Sequence, residues 1–196
     1  MTKREGFMVV AVPPIRMTAA DLLRHPEEKR YELIRGQLVE KEMSKKSSWC
    51  GLRLGGRLEA FVERKRLGWV FGADQGFTCF DDPGMVRKPD ASFIALGRMS
   101  VDEFEEEGYC PIAPDLAVEV ISPNDLSYDV EQKRDLWLDA GVRLVWIVNP
   151  KQKTVSVHSR TGETALLRPG GTLDGGEVLP GFSLPLDELF RLPAAA

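Results

Sequence analysis

The stretch Pro114–Pro150, PDLAVEVISPNDLSYDVEQKRDLWLDAGVRLVWIVNP, reads as strand, helix, strand, and its first two elements each carry a charge where an apolar side chain belongs. At period two, Ala117, Glu119 and Ile121 share one face of the first strand, and Leu116, Val118 and Val120 share the other. Glu119 therefore interrupts an apolar run, and a buried carboxylate has to be neutralised, paired or bound to a cation. In the following helix Leu126, Val130, Trp137 and Ala140 fall at heptad-like spacing, and the member of that stripe that breaks it is Lys133. Lys133 is expected to point inward, towards the sheet that carries Glu119.

Working outward, RKPDASFIAL places Asp90 directly after a proline at the head of an apolar segment. Proline is tolerated there because it removes a donor that the ladder has not begun to use. Two acids on strands and a lysine on the next helix form a cluster suited to a hard divalent cation and a water beside a phosphodiester.

The rest of the chain supplies the frame. Thr18 is the expected N-cap of a short helix over 17–23. Tyr31–Glu40 reads as a hairpin turning at Arg35–Gly36, with Glu32 on its first strand and its face undetermined. Leu54, Leu58, Phe61 and Val62 predict a helix over about 47–67, weakened in its first half by Gly51, Gly55 and Gly56. A strand or two is expected over 69–80 and another over 86–96, joined by a turn at Asp81–Gly84. Ser100 and Glu103 have capping-box spacing. The helix from about Ser127 to Ala140 should stop at Gly141, and the apolar run Val142–Val148 completes a parallel crossover. An antiparallel neighbour over 154–158 and short strands closing at 185–190 follow.

At 196 residues, 43% apolar and 29% charged, one soluble domain over 1–196 is the expectation. No apolar run approaches the roughly 20 residues that span a bilayer, and the apolar stretch within 1–17 is short and broken by proline, so a cytoplasmic protein is expected. Cys50, Cys79 and Cys110 are odd in number and lack CxxC spacing, which points to reduced, buried thiols rather than disulfides or zinc. The net charge of −4 brings no global attraction for nucleic acid, but from Lys41 to Arg66 eight basic residues face three acidic ones. That segment is either a phosphate-facing helix or a solvated one. Ser122 reads as a strand end, Asp129 as a first-turn acid within reach of Lys133, and His25 and His158 as isolated.

With these residues placed, the chain resembles the Uma-two family, restriction-endonuclease-like proteins of the PD-(D/E)XK nuclease superfamily. The resemblance rests on six pieces in order: YELIRGQLVE (31–40), KPDASFI (88–94), PDLAVEVISP (114–123), the stretch 129–137 with its lysine, AGVRLVWIVNP (140–150) and LPGFSLPLDELF (179–190). It implies an α/β, restriction-endonuclease-like core with a mixed β-sheet flanked by helices, an N-terminal hairpin and C-terminal short strands. It further implies a Mg²⁺ (or Mn²⁺) site, DNA as partner and substrate, and a homodimer. By position, Asp90 is the superfamily's PD aspartate and Glu119 its second acid. Ile121 stands where the superfamily lysine would be, and Lys133 on the next helix substitutes for it. Glu32 matches an N-terminal glutamate that serves as a further metal ligand in many superfamily members, and the Val120 carbonyl completes the expected ligand set. Two positions depart from the family pattern: Trp49–Cys50–Gly51 holds no histidine, and Arg35 replaces an acidic residue before the turn glycine. The expected activity is a metal-dependent endodeoxyribonuclease; the alternative is an inactive nuclease fold serving as a DNA-binding or assembly module.

Overall fold

The structure, a computed structural model, describes residues 16–41, 44–123 and 125–193. Most of the amino-terminal apolar stretch, Glu42 of the basic segment and the tail 194–196 lie outside them. The element order is α1 (Ala19–Leu23), β1 (Tyr31–Ile34), β2 (Gln37–Glu40), α2 (Lys45–Lys65), β3 (Gly68–Gly72), β4 (Ala91–Ala95), α3 (Val101–Glu105), β5 (Leu116–Val120), α4 (Ser127–Asp139), β6 (Leu144–Asn149), β7 (Thr154–Ser159), β8 (Thr164–Leu167), β9 (Thr172–Gly175), β10 (Leu179–Pro185) and α5 (Leu186–Leu189).

Six strands form a mixed sheet in the order β3-β4-β5-β6-β7-β8, while β1–β2 and β9–β10 pair separately. Within the six-stranded sheet the β5–β6 pair is parallel and the other pairs are antiparallel. The parallel pair requires a crossover, and α4 supplies it.

Alternation along the central strands divides the core in two. Leu116, Val118 and Val120 of β5, with Leu144, Trp146 and Val148 of β6, meet Leu54, Leu58 and Phe61 of α2 and apolar residues of β9, β10 and α5. Ala117, Val145 and Ile147 point the other way, to Trp137 of α4 and to Phe77, Ile94 and Met99. Being covered on both faces, β5 and β6 are nearly continuous apolar runs. Glu119 belongs by alternation to the Trp137 side. Within α4 the apolar stripe holds in its middle and end but not at its start, where Leu126 is 67% exposed because it caps the helix.

The helix α2 begins at Ser44, whose hydroxyl accepts from the Ser47 amide in a capping box, and ends where Arg66 turns left-handed (φ 55°). Its interior glycines do different things. A Cβ at Gly51 would sit 3.4 Å from the Asp90 Cβ, whereas one at Gly56 would meet nothing within 4 Å. Gly56→Ala therefore adds helix propensity without a clash, and thermal melting should show a gain of about 0.5–1 kcal/mol.

One strand is shorter than the sequence pattern suggests. Val86 and Arg87 do not extend β4: they form bridges to Leu33 of the hairpin and to Phe77. Pro89 has no N–H to give to the ladder, so bonding to β5 starts only after it, with the Asp90 amide donating to the Val118 carbonyl at 2.8 Å and the paired register running from Ala91. That detour docks the hairpin against 86–88. The hairpin turn itself has Arg35 and Gly36 at φ 52° and 77°, the left-handed pair that a two-residue hairpin demands. The three cysteines are free, Cys50 buried and Cys79 and Cys110 half-buried. Among the described residues no helix is long and apolar enough to cross a membrane.

Candidate active site

Glu119 lies near the end of β5 and is 5% exposed. The Trp137 indole N–H donates to its Oε1 at 2.8 Å, and the Lys133 ammonium lies 3.7 Å from its Oε2. Lys133 and Trp137 are one helical turn apart, so a single face of α4 delivers both. Burial pushes the Glu119 carboxyl above the usual carboxylate range; Lys133 counters this, while the negative charges of Glu32 and Asp90 add to it. The Glu119 carboxylate in turn raises the pKa of Lys133 against the pull of burial, so the amine stays protonated.

Asp90 approaches from the other face. Its Cβ lies beside Gly51 of α2, its Oδ2 accepts the Val120 amide at 2.7 Å, and its Oδ1 is 3.1 Å from the Lys41 ammonium. In an extended strand the amide and carbonyl of one residue point to the same side, so the Val120 carbonyl is also directed to the Asp90 edge. Lys41 also donates to the Lys88 carbonyl at 2.7 Å. Glu32 is brought in by the docked hairpin: its Oε1 accepts the Lys88 amide at 2.7 Å and its Oε2 is 3.3 Å from Arg87 Nη1. Burial alone would raise its pKa, but Arg87, Lys133, the Lys88 amide and Lys41 outweigh that and hold it below the ordinary value.

Glu32, Asp90 and Lys133 thus each lie within electrostatic range of Glu119, near one end of β5. Each acid is engaged in its own ion pair, Asp90 with Lys41, Glu32 with Arg87 and Glu119 with Lys133. Among the described residues no group of three or more His, Cys, Asp or Glu side chains is arranged to hold a metal ion. The acids still sense one another, since Glu32 and Asp90 both raise Glu119.

The opposite shifts of the two buried glutamates give opposite pH dependences. Glu119, raised on folding, contributes stability that is present below the unfolded value of about 4.3 and lost as pH rises through the folded value. Glu32, lowered on folding, contributes stability that is lost only as pH falls through its folded value. In EDTA, the melting temperature of Glu119→Gln relative to the wild type should therefore climb as pH rises from about 4.5 upward. A difference that stays flat with pH would show that Glu119 is not raised.

Three participants escape a reading of pattern alone. Lys41 counts with the basic segment by sequence, but it precedes α2 and turns inward. Arg87 lies beside the proline–aspartate pair and is 3% exposed, with its Nε unpartnered among the described residues. Trp137 is core, as its spacing indicates, and is also the donor that orients Glu119. Of the other candidates, Ser122 touches the Ser47 hydroxyl at 3.1 Å, and Asp125, whose carboxylate accepts the Ser122 amide, is among the charges acting on Lys133. In the basic segment, Arg53 stacks over Trp49 and donates to the Glu188 carbonyl, and Arg57 pairs with the Glu188 carboxylate, so both serve α5. An open groove of about 470 Å³ between α2 and β3 reaches Asp90 past Gly51, Gly55 and Gly56.

The family model named Uma2, described as "Putative restriction endonuclease", matches residues 19–187. The chain belongs to the Uma2 family. A crystal structure from Anabaena variabilis, described as a "putative nuclease belonging to DUF820", is similar over 89% of this chain and 97% of its own, at 25% identity and a TM-score of 0.75. No curated protein matches the sequence. The Uma2 match takes in every residue of the three ion pairs, and the mixed sheet flanked by helices is the PD-(D/E)XK-like nuclease core expected of the family.

Proposed function

We propose that the protein is a metal-dependent endonuclease that hydrolyses DNA phosphodiester bonds, acting as a single cytoplasmic domain and as a homodimer. Supporting this is one observation above all: carboxylates from three separate segments lie within electrostatic range of one another near the end of β5, beside a protonated lysine whose side chain is one quarter exposed. The donors are hard oxygens of the kind Mg²⁺ and Mn²⁺ take, and their mutual repulsion is of the kind a cation relieves. Asp90, Glu119, Glu32 and the Val120 carbonyl would hold the ion. When bound, such an ion lowers the pKa of a water and offsets charge on the phosphate.

The chain's own residues do the rest. Lys133, protonated throughout, is a fixed positive charge that orients the attacking water and compensates negative charge developing on the phosphate. The indole N–H of Trp137 holds one oxygen of Glu119 in place, leaving the other towards Lys133. The Val120 amide does the same for Asp90.

Self-neutralised acids favour a second reading, a nuclease fold that binds DNA or assembles without cutting. Supercoiled plasmid, single-stranded DNA and branched DNA, each with Mg²⁺, Mn²⁺ or EDTA, separate the two. Cleavage that needs the metal is the expected result. Folded protein that binds DNA but neither takes up Mn²⁺ nor cuts any of the three would favour the module.

A further inference from the structure

We propose that Lys41 is a tethered counter-cation that occupies the cation position at Asp90 and has to be displaced when a divalent ion binds. This rests on the metal site assigned above and adds to it a residue with a stated role in metal uptake. The Lys41 ammonium contacts a carboxylate oxygen, Asp90 Oδ1 at 3.1 Å, and a main-chain carbonyl, Lys88 O at 2.7 Å. Those are the two ligand types that hard divalent cations choose. The other oxygen of Asp90 is engaged by the Val120 amide. An ion that takes Oδ1 and the Lys88 carbonyl must therefore share them with the ammonium or expel it.

Sharing is unfavourable. The side chains of Lys41 and Asp90 are only 13% and 16% exposed, so little water screens a divalent charge from an ammonium a few ångströms away. Expulsion is mechanically simple, because the charge of lysine sits on a flexible four-carbon stem. The Lys41 backbone stays behind, its amide donating to the Arg30 carbonyl at 2.8 Å. Arg87 is not built for this part: its side chain is 4% exposed and it holds Glu32 rather than Asp90. Lys133 pairs with Glu119, and among the described residues no carbonyl contact accompanies that pair.

Charge balance leads to the same place. Three carboxylates face three basic side chains, so the site is neutral before any ion arrives. Removing one of the positive charges leaves a net attraction for a cation, and Lys41 is the one whose removal exposes Asp90.

The test is Mn²⁺ titration of the full chain, by calorimetry and by electron paramagnetic resonance of free Mn²⁺. The proteins are wild type, Lys41→Gln, Lys41→Met and Lys41→Arg, and the two neutral variants also carrying Asp90→Asn, with thermal melts of each. Both neutral variants should bind Mn²⁺ about tenfold or more tightly than wild type. Lys41→Arg, which keeps the charge, should bind as wild type does, and Asp90→Asn should abolish the gain. Wild-type affinity in the neutral variants, or weaker, would overturn the role of Lys41 while leaving the metal site in place. A lowered melting temperature with no gain in affinity, or failure of both neutral variants to fold, would assign Lys41 to structure alone and overturn it equally. No Mn²⁺ uptake by any of the proteins would remove the metal site itself, and this inference with it.

Discussion

Glu119→Ala is expected to lower metal-dependent DNA cleavage by roughly a hundredfold to a thousandfold, the scale on which removing one preorganised electrostatic group acts. Asp90→Ala should do the same. The fold should survive both changes. Glu119→Ala leaves the Trp137 N–H without its acceptor, which costs about 1–3 kcal/mol. It also relieves the penalty of burying a carboxylate, which works in the opposite direction. Lys133, one quarter exposed, can turn its ammonium to water. Circular dichroism and a melting curve should accordingly look near-native while turnover is lost. Full turnover in Asp90→Ala would show that the site has been misplaced. Glu119→Gln is the sharper variant, since its amide oxygen can still accept from Trp137 while the charge is gone. Loss of cleavage there, with Trp137 still held, would isolate the charge as the cause.

Trp137→Ala should cost about 3–5 kcal/mol of stability, or roughly 6–20 °C in melting temperature for a chain of this length. The side chain is fully buried, edge-on to Phe77 with centroids 5.9 Å apart and tilted against Phe80 at 5.3 Å. Truncation opens a cavity between α4 and the sheet and takes the indole donor from Glu119 Oε1. Trp137→Phe divides these effects. It keeps most of the ring packing and removes only the N–H to Glu119, so stability should fall by no more than about 1–3 kcal/mol. Cleavage should fall further than that loss of stability explains, because one oxygen of Glu119 is no longer held. Equal activity of Trp137→Phe and wild type would confine Trp137 to packing.

Much of this site could be read from spacing. The period-two run placed Glu119 opposite Val118 and Val120, and the helical stripe turned Lys133 towards it, because side-chain direction within one element follows from backbone geometry alone. The turn at Arg35–Gly36, the N-cap of Thr18 and the stop at Gly141 are likewise local, each set by the conformations one or two residues can adopt. Where the pattern overreached, the cause was also identifiable. The strand expected over 86–96 is cut at Pro89, and its first residues pair elsewhere because the hairpin competes for them.

The partners of the acids were not legible in this way. In a four-residue strand, alternation does not reveal that neighbours on opposite faces, Glu32 and Leu33, are both buried. Glu32 became buried only when the hairpin docked through Leu33 and Val86, and its bond to the Lys88 amide spans 56 positions. Lys41 reaches the Lys88 carbonyl across 47 positions, and nothing in its neighbourhood separates it from the exposed lysines 45 and 46. The direction of a side chain within a strand or helix is a property of the chain's own repeat, and so the residues themselves settle it. Which base neutralises which acid depends on the distance between elements far apart in the chain, and that distance exists only after their apolar faces have packed.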